Sequence, residues 1–105
     1  MKAQEIYEGL RSLGYPVAYR KFAEGDVPRE PYLIYLFPGT DNFSADGIVY
    51  QEINQLDIEL YMEKKDLEAE QKIADWLTKN GVFYEKEEVY IESEEMIEVI
   101  FSAEI

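Results

Sequence analysis

An α+β domain is expected from this chain: a mainly antiparallel sheet with two helices packed on one face, in the order α-β-β-β-α-β-β. Three features of the sequence lead there. Apolar residues recur at three- and four-residue spacing in two separate stretches, the signature of an amphipathic helix. They alternate with polar residues over 48–62 and again over 95–105, the period of a half-covered strand. The strand-like stretches follow one another in runs, without the regular β-α-β alternation of a parallel sheet.

The first helix rests on Ala3, Ile6, Leu10 and Leu13, which share one face. Gly14 offers a left-handed stop and Pro16 blocks continuation. Residues 16–22 read as a short alternating strand. Residues 23–31, broken by Gly25, Pro28 and Pro31, read as a loop. Residues 32–37 are continuously apolar and aromatic, as in a central strand covered on both faces. Residues 38–47 are rich in turn formers, with Phe43 exposed among them. The alternation over 48–62 puts Leu56, Ile58, Leu60 and Met62 on one face and Gln55, Asp57, Glu59 and Tyr61 on the other.

Asp66 is placed to cap a second helix whose stripe is Ala69, Ile73, Trp76 and Leu77. Glu68 and Glu70 sit near its positive end, Lys79 lies in its last turn, and Asn80-Gly81 ends it. Two more strands follow, over 82–91 and 95–105, with a turn at 92–94. The whole chain, 1–105, reads as one domain. Such a domain should bury roughly 65% of its unfolded surface, enough for one core.

Composition bounds the chemistry. The chain has no cysteine and no histidine. Thiolate catalysis, disulfides, Cys or His metal sites and a Ser-His-Asp triad cannot be built from one copy. No catalytic residue, metal ligand or cofactor-binding residue is assigned, and the chain is expected not to be an enzyme. The six glycines form no phosphate-cradling motif. Two acidic groupings merit weighing. Glu85 and Glu87 would share a strand face and could meet a hard cation, but a solvated strand face has the same pattern. Residues 41–47 superficially resemble a calcium loop, yet Phe43 and Ala45 stand where ligands belong, so a turn or interface loop is preferred.

Twenty-three acidic residues against 10 basic ones give a net charge of −13. That field repels phosphate backbones and anionic bilayers, so neither nucleic acid nor membrane is expected as a partner. The nine tyrosines interleave with Glu rather than with Lys and Arg, a pattern suited to protein contacts. Tyr50 and Tyr61, with the polar row of the long strand, are candidate contact residues. Either 16–22 or 95–105, if at a sheet edge, could pair with a neighbouring subunit; charged residues there could equally prevent it. Residues 1–10 carry Glu5 and Glu8 and no continuous apolar stretch, so no signal peptide is expected and a reducing cytoplasm is the expected compartment.

Several stretches together carry a family resemblance. They are Leu13-Gly14-Tyr15-Pro16-Val17-Ala18-Tyr19, Pro31-Tyr32-Leu33-Ile34-Tyr35, Asn42-Phe43-Ser44-Ala45-Asp46-Gly47, Glu59-Leu60-Tyr61 with Lys64-Lys65-Asp66, and Tyr90-Ile91-Glu92-Ser93-Glu94. The chain resembles the small tail-completion proteins of phages and prophages of Gram-positive bacteria, similar to tail terminators or tail-to-head joining proteins. The resemblance implies a subunit of a ring, usually hexameric, at the head-proximal end of a tail. It would contact its own copies, the tail-tube protein and a head-completion or connector protein, with DNA passing through unbound. It would assemble in the bacterial host cytoplasm and end in the virion neck. It implies no cofactor. Candidate subunit-interface residues are Asn42, Phe43, Asp46, Tyr50 and Tyr61. No stretch reads as an extended arm. The competing expectations are an acidic monomeric adaptor or DNA mimic for a basic partner, and a carboxylate-based metal-dependent hydrolase.

Overall fold

The computed structural model describes the backbone of residues 1–105; the side chains of Ala45, Val49 and Tyr50 lie outside the described residues. A 3₁₀ turn, Ala3–Glu5, leads into α1, Ile6–Arg11. Ile6 and Leu10 are fully buried. Gly14 takes φ 98°, the left-handed stop expected of it.

Five strands form the main sheet: β1 (Val17–Tyr19), β2 (Tyr32–Leu36), β5 (Gln55–Met62), β6 (Tyr84–Ile91) and β7 (Met96–Glu104). Their spatial order is β1-β2-β5-β7-β6. Only β1 and β2 run parallel; every other junction is antiparallel. The first strand is shorter than its alternation implies because Arg20 adopts φ 68°, and Lys21 N–H turns back to the Tyr19 carbonyl at 2.8 Å. Phe22 leaves the strand and packs edge-on against Tyr32, with ring centroids 5.3 Å apart. Tyr32, Leu33 and Ile34 of β2 are all buried.

The second helix, α2 (Leu67–Lys79), starts where Asp66 Oδ1 accepts from the Ala69 N–H at 3.1 Å. It ends at Asn80 and at Gly81, with φ 72°. Ala69, Ile73, Ala74 and Leu77 face the sheet and close a core with Leu33, Leu56, Ile58, Leu60, Met62, Val99 and Phe101. Trp76, also in the expected stripe, packs against this core. It is only partly buried, and it lies against Gly9 of α1. Both helices cover one face of the sheet, and among the described residues no helix is long and apolar enough to cross a membrane.

Three expectations are corrected. The stretch 48–62 is not one strand. It divides into β4 (Ile48–Gln51) and β5, and β4 pairs with β3 (Phe43–Ala45) in a separate two-stranded sheet. Asp46 and Gly47 both have positive φ, 54° and 75°, which matches a two-residue hairpin turn. The order is therefore α-β-β-β-β-β-α-β-β. Second, the hairpin is an arm, contrary to the expectation that none exists. The molecule measures 48 × 28 × 23 Å with a radius of gyration of 14.8 Å, against about 13 Å for a compact chain of this length. Third, 95–105 is not an edge: β7 lies between β5 and β6, so β6 and β1 are the two edges.

Candidate interaction surface

The pleat decides what the uncovered face presents. Leu56, Ile58, Leu60 and Met62 of β5 point to the helices, so Gln55, Asp57, Glu59 and Tyr61 point away. The pairing Tyr61↔Glu98 and Glu59↔Ile100 carries this row onto β7, and Ile100↔Glu87 and Ser102↔Glu85 carry it onto β6. The open face thus holds Asp57, Glu59, Glu98, Glu85 and Glu87.

At its centre Tyr61 bridges two carboxylates. Its Oη lies 2.6 Å from Glu98 Oε2 and 2.9 Å from Glu59 Oε1. Its ring stacks on Tyr32, with centroids 5.2 Å apart. Burial raises the Glu59 carboxyl above its usual range. The Tyr61 hydrogen bond and Arg20 act the other way, while Glu98 and Asp57 reinforce the rise. Burial and the two carboxylates also push the Tyr61 phenol upward.

The acidic edge strand is tied down from the helix side. Glu70 of α2 is only 3% exposed. Lys65 Nζ approaches its Oε2 at 2.7 Å as a charge contact outside hydrogen-bond angles, and Lys86 Nζ meets Oε1 at 3.3 Å. Lys65 also pairs with Glu88. The carboxylates of Glu70 and Glu88 hold the Lys65 ammonium above its usual range. Lys86 and Glu88 of β6 are thereby drawn toward α2.

The arm is fixed at its base. Asn42 Oδ1 accepts from the Ile53 N–H at 3.1 Å, and Asp41 N–H donates to the Ile53 carbonyl at 2.8 Å. Asn54 and Ile105 exchange two backbone hydrogen bonds at 2.8 Å. Beyond this base, Phe43 is 59% and Ile48 71% exposed.

The five sequence-derived contact residues divide into two places. Asn42 holds the root of the arm, Phe43 lies on its first strand, and Asp46 forms its turn. Tyr61 lies in the middle of the main sheet instead. The Tyr50 side chain lies outside the described residues, and its strand does not continue into β5. Two features escaped the sequence reading. Asp46-Gly47 between strand-like residues was a legible hairpin signal. The Glu70 ion pairs join α2 to the turn before it and to β6, contacts that neither helical nor strand periodicity encodes.

A groove of about 750 Å³ lies at the end of the open face, lined by Pro38, Gln55, Asp57, Phe83, Glu85 and Ser102 among others. Phe83 at its rim is 81% exposed. Among the described residues no group of three or more His, Cys, Asp or Glu is arranged to hold a metal ion. The chain matches no protein-family model, and no curated protein matches it.

Proposed function

We propose that this chain is a structural subunit of a phage or prophage tail, a tail terminator or tail-to-head joining protein. It assembles with its own copies, six by resemblance, into a ring at the head-proximal end. The ring stops growth of the tail tube and docks the head. On this reading it assembles in the bacterial host cytoplasm, then resides in the virion neck, and it acts without catalysis or cofactor.

The observation that carries the reading is the projecting hairpin, β3 and β4, with Phe43 and Ile48 exposed. Exposed apolar side chains on a two-stranded ribbon favour a protein partner over water. The resemblance supplies the identity of that partner, a neighbouring subunit or tail component. The acidic open face supports the same reading, since carboxylates facing a lumen would let DNA pass without adhesion.

Electron microscopy of tails made without this chain tests the proposal. Tails of uncontrolled length, or tails that fail to join heads, are expected. Normal infectious particles would refute it. The same carboxylates also fit an acidic adaptor for a basic protein, which would instead be a stable monomer with strongly salt-dependent binding.

A further inference from the structure

We infer that the ring closes by sheet extension: the β6 edge of one copy pairs antiparallel with the β1 edge of the next, joining the main sheets into one belt. This rests on the ring reading above and adds which surfaces meet.

The register shows which backbone groups are free. Asn54 and Ile105 form a hydrogen-bonded pair, so the bonded pairs between β5 and β7 recur at Leu56↔Ala103, Ile58↔Phe101 and Leu60↔Val99. Alternation then turns Ser102, Ile100 and Glu98 toward β6, where they bond Glu85, Glu87 and Val89. The N–H and C=O groups of Tyr84, Lys86, Glu88 and Tyr90 therefore point outward from the sheet. On the opposite edge, Leu33 N–H donates to the Pro16 carbonyl and Arg20 N–H to the Tyr35 carbonyl. Alternation leaves Val17 and Tyr19 pointing outward, with the Tyr19 carbonyl also accepting from the Lys21 N–H at 2.8 Å.

Strand directions make the junction possible. One parallel and three antiparallel steps separate β1 from β6, so the two edges run in opposite directions. Copies related by rotation about a ring axis, with no copy flipped, thus meet in an antiparallel ladder. The outward residues of both edges share the helix face, which lets the open face continue from copy to copy.

Edge strands of monomers are commonly guarded by charged side chains. Here Lys86 and Glu88 are turned toward α2 by Glu70 and Lys65, so they do not shield the outward backbone. The charges on the open face select the partner. Glu85 and Glu87 lie at the β6 edge, whereas Arg20 follows β1 and acts on Glu59 of the same face. A register with Val17 opposite Glu88 sets Ala18 opposite Glu87 and brings Arg20, just past the end of β1, to the side of Glu85. A two-fold pairing of β6 with itself would instead set the Glu85–Glu87 row against its own copy, which like charges oppose.

The test uses the full chain, which has no native cysteine. Ala18 and Glu87 occupy a non-hydrogen-bonded pair in this register, with Cα atoms about 4.5 Å apart, within disulfide reach. Ala18→Cys combined with Glu87→Cys should oxidise to a ladder of cross-linked species ending at one closed ring on a non-reducing gel. Arg20→Glu alone and Glu85→Arg alone should each weaken self-association about tenfold in light-scattering titrations, and the two together should restore it. Circular dichroism verifies that each variant folds. A wild-type chain that forms oligomers, with a double-cysteine variant that does not cross-link and charge variants that associate unchanged, would overturn edge pairing and leave the ring reading standing. A cross-linked dimer and nothing larger would overturn the heterologous junction. A monomer at every attainable concentration, with no cross-link in assembled tails, would overturn both.

Discussion

Tyr61 of β5 donates its single hydroxyl hydrogen across the sheet to Glu98 of β7, at 2.6 Å, in the middle of the face the helices leave open. Glu59 Oε1 stands 2.9 Å from the same oxygen. One hydrogen cannot serve both carboxylates fully. A second proton, carried by Glu59, would complete the set, and burial already favours the neutral form there.

The pH consequence follows from that direction. A carboxyl whose folded pKa lies above its unfolded value favours folding at low pH, and the contribution is lost as pH rises through the folded pKa. Glu59→Gln should therefore stabilise the fold at pH 7–8, by about 0.5 kcal/mol after allowing for solvent screening. The gain should disappear near pH 4. Urea denaturation at both pH values checks this.

The two helices meet where Trp76 covers Gly9. A Cβ on Gly9 would lie only 2.8 Å from the indole Cε2 and 2.9 Å from Nε1. Rigid aromatic atoms with the core behind them have little room to yield. Gly9→Ala should destabilise the fold by about 1–3 kcal/mol despite its gain in helix propensity. A Trp76→Leu background should remove most of that cost, which a double-mutant cycle by thermal denaturation would measure.

The buried Glu70 carboxylate joins α2 to the edge strand. Glu70→Gln removes the charge that Lys65 and Lys86 approach, while both ammonium groups can still turn to water. The global cost should be modest, about 1 kcal/mol. The local effect should be larger: amide exchange in Tyr84–Ile91 should quicken relative to Gln55–Met62.

Much of the fold was legible because local chemistry agreed with it. Asp66 caps α2, Gly14 and Gly81 end the helices in left-handed conformations, and even-numbered apolar residues of β5 face the core. The break within 48–62 was obscured because Ile48 keeps the phase of Leu56, Ile58 and Leu60. Ile53 falls on the opposite phase and marks the interruption. Two-residue periodicity shows which face a residue takes, but not which sheet it joins. Arg20 shortens β1 through a positive φ that nothing in its side chain announces. Of the candidate contact residues, the sequence located the arm's Asn42, Phe43 and Asp46 but grouped them with Tyr61, which register places elsewhere.

The arm and the core should respond separately to mutation. Gly47 has φ 75° and open space around it, so Gly47→Val strains the hairpin turn without a clash. Because β3 and β4 pair only with each other, the midpoint of urea unfolding should change little. Incorporation into tails should fall at least severalfold, as quantified by immunoblotting purified particles.

Copy number in the virion addresses the proposed role most directly. Quantitative mass spectrometry of purified tails, prepared from variants with short and long tail tubes, should find a small fixed number of copies, six per tail. That number should not change with tube length. A number that scales with tube length, or an absence of the chain from finished particles, would contradict the assignment.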